Sequence, residues 1–314
     1  MTKHRAIALM GATGTGKSAL AITLAQQFNT SIISCDSMQL YRGLDIGTAK
    51  ASLEERASVP HYLLDCADIQ DIWSAQRWAN EALSIIQQEN KAGRTPIIVG
   101  GTGMYLRALL EGFADIPPIN MTIREHFLSL QQEYGTPYLH QLLQVCDKDL
   151  AARLDATDSQ RIMRGLCVFE STQKPLSIWQ SEHEKKHESV DCPIFILSME
   201  RSQLCQRLEQ RIDTMMQQGW LDEVRWLDAQ NMPELHPALR AVGYRQMLDY
   251  LHGGGTLGDA IRDAKTATRR YAKRQVTWFK NQTPHAHKAD AASLHTAIIT
   301  QVSTPSLKLI LKQK

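Results

Sequence analysis

No stretch of about 18 consecutive apolar residues, the length a helix needs to cross a bilayer, occurs in the 314-residue chain. The first residues, MTKHRAIALMGATGTGKS, lack the apolar core and small-residue cleavage site of an export signal. A cytosolic protein is expected. C-x-x-C pairs are missing too: Cys35, Cys66, Cys146, Cys167, Cys192 and Cys205 never form one, which argues against a zinc cluster, and a chain of this size folds without disulfides. They read as reduced core thiols. Nor is there charge of one sign, since 35 Lys and Arg face 33 Asp and Glu for a formal net charge of +2. An internal repeat is likewise lacking, which excludes a solenoid.

What is present is ordinary globular composition, 43% hydrophobic and 22% charged, in a length that suits one α/β domain with a smaller appendage. Arg5 to Met10 is a short apolar run entering a glycine loop, Lys17 to Gln27 has helical spacing at Leu20, Leu24 and Phe28, and Ser31 to Cys35 reads as a second strand. After a loop-rich stretch from Tyr41 to Asp71, the segment Ser74 to Asn90 is helical, and Pro96 to Val99 reads as a third strand ending in Gly100-Gly101. Strands whose carboxyl ends all run into glycine-rich or polar loops indicate a parallel sheet. From Met121 to about Val190 the spacing is helical throughout, Pro193 to Leu197 resumes the sheet, and helices follow with a stripe at Leu204, Leu208, Ile212 and Met215. The expected fold is an α/β parallel sheet flanked by helices, with an inserted all-helical subdomain, and the G-x-x-x-x-G-K-[ST] string from Gly11 to Ser18 between a strand and a helix makes it P-loop NTPase-like. The core spans 1–120 and 191–281, the insertion 121–190, and 282–314 reads as a flexible tail.

Between Arg240 and Lys280 nine basic residues (Arg240, Arg245, Arg262, Lys265, Arg269, Arg270, Lys273, Arg274, Lys280) face three acidic ones (Asp249, Asp259, Asp263), an excess suited to a polyanion such as nucleic acid. A solvated helix face is the plainer alternative.

Gly11-Ala12-Thr13-Gly14-Thr15-Gly16-Lys17-Ser18 matches G-x-x-x-x-G-K-[ST] between a strand and a helix. Backbone N–H groups of such a loop converge on a phosphate, the helix N-terminus adds positive potential, Lys17 adds a point charge and the Ser18 hydroxyl can hold Mg²⁺. The loop leaves open whether that phosphate belongs to a nucleotide. Motor and switch proteins pair it with a strand ending in Asp, whereas here the strand ends Ile97-Ile98-Val99-Gly100-Gly101-Thr102-Gly103. Asp36 ends the second strand beside the loop and can act there as a general base or as a turn or cap residue.

The longer strings Asp36-Ser37-Met38-Gln39-Leu40-Tyr41, Gly43-Leu44-Asp45-Ile46-Gly47-Thr48-Ala49-Lys50, Val99 to Arg107, Asp158-Ser159-Gln160-Arg161-Ile162-Met163-Arg164, Ala241-Val242-Gly243-Tyr244-Arg245-Gln246-Met247 and Thr268 to Trp278 resemble the signature blocks of the tRNA dimethylallyltransferase (isopentenyl-tRNA transferase) family, in that family's order. The resemblance implies transfer of a dimethylallyl group from dimethylallyl diphosphate to N6 of adenosine-37, beside the anticodon, in tRNAs that read codons beginning with U. It implies that Asp36 is the base and Thr102 a hydroxyl near the reacting centre, and that the loop residues Gly11 to Ser18 (Gly11, Ala12, Thr13, Gly14, Thr15, Gly16, Lys17, Ser18) hold the diphosphate with Arg211 and Mg²⁺. It places Asp36, Ser37, Met38, Gln39, Thr102, Gln160, Arg161, Ile162, Met163, Arg164, Arg240, Ala241, Val242, Gly243, Tyr244 and Arg245 toward the tRNA anticodon stem-loop. A monomer is expected, and the lack of a long apolar run predicts no membrane partner. Departures from the family pattern are Ala12 and Ala51, where Pro is usual, and Gly165-Leu166-Cys167, where Ala-Leu-Glu is usual. Rival readings are a prenyltransferase acting on free adenine nucleotides, a P-loop small-molecule kinase, and a nucleotide-dependent RNA-binding module without chemistry. The first does not require the insertion or the basic stretch, and the last leaves Asp36 beside the loop unexplained.

Overall fold

A computed structural model describes residues 4–114, 116–117, 119–183 and 190–303. The chain divides into two compact units, Met1–Leu110 with Ser189–Lys314, and Glu111–Glu188.

The strands of the first unit form where short apolar runs are buried on both faces (7–10, 32–35, 97–100 and most of 194–197), as in a helix-covered parallel sheet, and where two less buried segments join its edges (61–62 and 287–289). They are β1 (Ile7–Met10), β2 (Ile32–Cys35), β3 (His61–Tyr62), β4 (Ile97–Gly100), β5 (Ile194–Leu197) and β6 (His287–Ala289), in the order β3-β2-β4-β1-β5-β6, all parallel. The flanking helices are α1 (Lys17–Gln27), α2 (Leu53–Ser58), α3 (Ala75–Lys91) and α4 (Gly103–Glu111). One face of the sheet packs Ile7, Leu9, Ile32, Ile97, Val99 and Phe195 against Leu20, Leu24, Leu294 and Ile298. Helix α3 starts where the Ser74 side chain accepts the Arg77 N–H, and its buried Trp78 donates from Nε1 to the Ser34 carbonyl at 2.9 Å, tying the helix to β2.

The second unit holds α5 (Met121–Tyr134), α6 (Thr136–Cys146), α7 (Lys148–Ala151), α8 (Ser159–Thr172) and α9 (Leu176–His183), with no strand among the described residues. Its core joins Leu139, Leu143, Leu150, Ile162, Leu166 and Val168. Gly165 belongs to that packing: a Cβ there would lie 2.7 Å from Leu150 and 2.8 Å from Leu143, so the missing side chain lets α8 sit close to its neighbours.

After β5 come α10 (Arg201–Gln217), α11 (Trp220–Asp228), α12 (Tyr244–Leu251), the 26-residue α13 (Leu257–Gln282), β6 and α14 (Ala291–Ser303). The capping box of Thr256 with Asp259 starts α13. The expectation of a flexible tail from 282 fails over the described part: β6 adds a parallel strand to β5, and α14 buries Leu294 and Ile298 completely. Those two side chains, four apart, supply the packing that the surrounding small polar residues conceal. The tail's last residues, 304–314, lie outside the described residues, as do 184–189 of the helical stretch. Two elements also fall inside the stretch read as loop: α2, opened by a Ser52/Glu55 capping box, and β3, so the strand at 97–100 is fourth in chain order. All six cysteines are free, but only Cys35 and Cys167 are core thiols; the other four are partly exposed, being placed on loops and helix edges. No helix among the described residues is long and apolar enough to cross a membrane.

Candidate active site

The register of the sheet assembles the site. Met10 lies opposite Gly100, and Gly100 opposite Cys35, so the chain leaves β1, β4 and β2 side by side as Gly11, Gly101 and Asp36. This is the carboxyl edge of a parallel sheet, where such folds bind ligands.

The loop from Gly11 to Ser18 takes the left-handed backbone at Gly14 and Gly16, with φ of 82° and 96°. Helix α1 begins at Lys17 with no side-chain cap, which leaves its first N–H groups for an anion. Thr15 Oγ1 donates to the Ala12 carbonyl at 2.9 Å, and Lys17 Nζ donates to the same oxygen at 2.7 Å, so the lysine is drawn across the loop. Burial, aided by the nearby Arg211 cation, lowers the Lys17 pKa to about 8 despite the opposing Asp36 carboxylate. Ser18 is exposed at the lip.

Asp36 and Thr102 are set against each other by two bonds between neighbouring strand ends. The Thr102 N–H donates to the Cys35 carbonyl at 3.1 Å, and the Ser37 N–H donates to Thr102 Oγ1 at 3.2 Å. Asp36 also does part of what a turn residue does, since its Oδ1 accepts the Met38 N–H at 2.9 Å. Its role as a local cap therefore occupies one carboxylate oxygen and leaves Oδ2 without a hydrogen bond among the described residues.

Two cavities meet at this carboxylate. The first, about 550 Å³, is lined by the phosphate loop, including Lys17 and Ser18, with Asp36, Gly101, Arg207, Arg211 and Gln275. The second, about 360 Å³, is lined by Ser37, Met38, Ile212, Trp220, Arg240, Tyr244, Tyr271 and Arg274. Thr13, Asp36, Thr48 and Arg211 line both. Thr102 lines neither and stands behind Asp36. Arg211 is not the exposed helix charge that its spacing alone allows: it is half-buried, its Nη2 donates to the Thr48 carbonyl at 3.5 Å, and desolvation lowers its pKa against the pull of Asp36.

Three residues that hold this arrangement escaped the sequence reading. Glu223 of α11 accepts the backbone N–H groups of Asp45, Ile46 and Gly47 at 2.8, 2.7 and 3.0 Å and the Tyr244 hydroxyl at 2.5 Å. Lys50, its side chain 1% exposed, pairs with Asp45 and Asp65 and donates to the Tyr41 carbonyl at 2.8 Å. Gln275 bonds the phosphate loop and Gly101 at once, Oε1 accepting the Thr13 N–H at 2.8 Å and Nε2 donating to the Gly101 carbonyl at 3.0 Å. The only sequence signal for Gln275 and Lys50 was their place inside signature strings; Glu223 had none.

The residues expected to face RNA divide. Ser37, Met38, Arg240, Ala241, Val242 and Tyr244 line the second cavity, and Arg245 is exposed. Gln39 points inward, its Oε1 accepting the Ser34 hydroxyl at 3.0 Å and its Nε2 donating to the Thr48 carbonyl at 3.1 Å. Gly243 is buried against Trp220. In the second unit Gln160, Arg161 and Arg164 are exposed, whereas Ile162 and Met163 are buried in its core at 0% and 8% and present no side chain to a ligand. The reason is helix geometry: these two lie on the apolar face of α8, which packs on α6, while the polar residues of the string lie opposite.

A sequence profile described as IPP transferase matches residues 39–282. A relative named tRNA dimethylallyltransferase from Caulobacter sp. (strain K31) is 39% identical over 284 residues, covering 90% of this chain and 92% of the relative. One of the same name from Syntrophobacter fumaroxidans is 40% identical over 303 residues, covering 96% and 88%. Among solved structures, a tRNA isopentenylpyrophosphate transferase from Bacillus halodurans superposes with a TM-score of 0.68 at 33% identity over 95% of this chain and 96% of that one. A eukaryotic dimethylallyltransferase studied while acting on tRNA gives 0.75 at 29% identity over 92% and 74%.

Proposed function

Since the chain belongs to the IPP transferase family, we propose that it transfers a dimethylallyl group from dimethylallyl diphosphate to N6 of adenosine-37 in tRNAs that read codons beginning with U, releasing diphosphate. The observation that carries this reading is the meeting of the two cavities at Asp36: a cationic cleft fit for a diphosphate opens on one side, and one lined by residues of the RNA-facing strings opens on the other.

The amine is a poor nucleophile because its lone pair is delocalised into the purine ring. Asp36 accepts the amine proton as the N6–C1 bond forms. The C1–O bond breaks, and the diphosphate leaves with the bonding pair into the N–H groups of the loop, Lys17 and Arg211, which meet its developing charge. Thr102, fixed by Cys35 and Ser37, holds the turn that aims the base. Ser18, exposed on the cleft, offers the hydroxyl that would hold Mg²⁺ there. Mg²⁺ keeps most of its waters and takes phosphate oxygens, so one hydroxyl is the kind of protein ligand it uses. When bound, it would supply charge neutralisation for the leaving group.

A base inside the anticodon loop has to leave its stack to reach Asp36, at a cost of a few kcal/mol. Exposed Arg270, Lys273 and Arg274 on α13 are suited to hold the surrounding backbone. The enzyme is taken to work in the cytosol as a monomer. Incubating it with bulk tRNA and either ATP or dimethylallyl diphosphate tests the reading. Consumption of the allylic diphosphate, dependent on tRNA and on Mg²⁺, is expected. Consumption of ATP alone would make it a kinase.

A further inference from the structure

We infer that Gln275 is a positioning residue for the transfer step, one buried amide that sets the separation between the phosphate loop and the strand end that carries Thr102. The inference rests on the reaction proposed above.

Strands β1 and β4 are held together by their ladder only as far as Met10 opposite Gly100. Past that point the two chains turn into different loops, one holding the leaving group and the other backing the base. The Gln275 side chain continues the ladder by one rung: Thr13 N–H to Oε1 at 2.8 Å, and Nε2–H to the Gly101 carbonyl at 3.0 Å. Only 7% of the residue is exposed. A primary amide presents an acceptor and a donor from one planar group, which neither a carboxylate nor a thioether does. Gly101 is shaped to receive it, because a Cβ at that position would collide with the amide nitrogen.

The chemical consequence concerns distance. Transfer needs the acceptor nitrogen and the allylic carbon held about 3–3.5 Å apart with their orbitals aligned. The carbon hangs from the diphosphate, and so from the loop that includes Thr13. The nitrogen is placed by Asp36 and the turn that Thr102 fixes to Cys35. A tie between Thr13 and Gly101 therefore sets one substrate relative to the other and leaves the binding of each alone almost unaffected. That tie comes from α13, the same helix whose exposed side carries Arg270, Lys273 and Arg274.

The test uses full-length Gln275→Met, which removes both bonds, and Gln275→Glu, which keeps an acceptor for Thr13 but sets an oxygen against the Gly101 carbonyl. Single-turnover rates are measured with both substrates saturating, alongside tRNA affinity by filter binding, inorganic diphosphate affinity by calorimetry, and thermal melting. For Gln275→Met the saturated rate is expected to fall about 100-fold while both dissociation constants stay within about threefold, with Gln275→Glu between it and wild type. A saturated rate near wild type in either folded variant overturns the inference, as does a rate loss that disappears at higher substrate concentration. The two variants guard against one failing to fold. The wild-type enzyme run in parallel separates this failure from the other: if it modifies no tRNA, the proposed reaction itself is wrong.

Discussion

Lys17 carries its charge less firmly than a free lysine, and that has a measurable result. Its pKa of about 8 lies below the ordinary value of about 10.4 because burial and Arg211 disfavour the cation. The side chain is charged below that pH and increasingly neutral above it. A bound diphosphate favours the cation and draws the pKa back up, so binding at about pH 8.5 should take up a proton, whereas at about pH 6.5 this residue has none to gain. Diphosphate affinity should weaken correspondingly as pH rises through the pKa. Calorimetry with inorganic diphosphate in two buffers of different ionisation heat reads the uptake, and Lys17→Arg, which stays charged, should abolish it. The same uptake in that variant would place the proton elsewhere. Asp36 is the other residue whose proposed function separates from its structural duty. Asp36→Asn keeps an oxygen for the Met38 N–H and loses the proton acceptor, so the single-turnover rate should fall by about 10²–10⁴ with tRNA affinity near normal. A rate loss under about tenfold would make Asp36 a turn residue only.

The loop between β2 and α2 behaves as one braced piece. Glu223 takes the N–H groups of 45–47, Gln39 donates to the carbonyls of Thr48 and Ala49, and Arg211 leans on the Thr48 carbonyl. Glu223→Gln removes the charge that makes these bonds strong, at a cost of about 1–3 kcal/mol. A lowered melting temperature and weaker diphosphate binding through a displaced Arg211 are expected, and unchanged values of both would show the brace to be dispensable. Gly165 makes the opposite kind of case. Helix propensity alone says Gly165→Ala should stabilise α8 by about 1 kcal/mol. Overpacking against Leu143 and Leu150 costs about 1–3 kcal/mol, so net destabilisation is expected in a urea melt, and a gain would contradict the close packing. The elements that were legible from sequence are those that bury apolar runs: β1, β2, β4 and β5, and the stripe of α10. Strand β3, His61–Tyr62, and β6, His287–Ala289, were not, because they join a sheet edge through backbone bonds that composition does not record. In the site, the phosphate loop and Asp36 announced themselves by motif and position. Glu223 and Gln275 did not, since a polar residue on a helix shows its role only through what lies opposite.

Across the whole molecule the basic excess between 240 and 280 is smaller than its count. Arg262 pairs with Asp259, Lys265 with Asp213 at 2.7 Å, and Arg269 with Glu209, so three of the nine cations are already engaged. Arg270 and Lys273 are exposed on the same helix. Replacing both by Ala should weaken tRNA binding and flatten its salt dependence by about one unit of slope per lost phosphate contact, whereas Arg269→Ala should cost stability and leave the slope alone. A filter-binding salt titration with the wild-type slope in the double variant would assign α13 to structure only. The account as a whole stands or falls on the product. Purified enzyme, Mg²⁺, dimethylallyl diphosphate and bulk tRNA are incubated, and the tRNA is digested to nucleosides for mass analysis. Adenosine carrying one added dimethylallyl group, confined to the position beside the anticodon and lost with Asp36→Asn, is the expected result. Nucleosides unchanged by the folded protein, or a prenyl group found on adenosine monophosphate in a parallel incubation and not on tRNA, would contradict it.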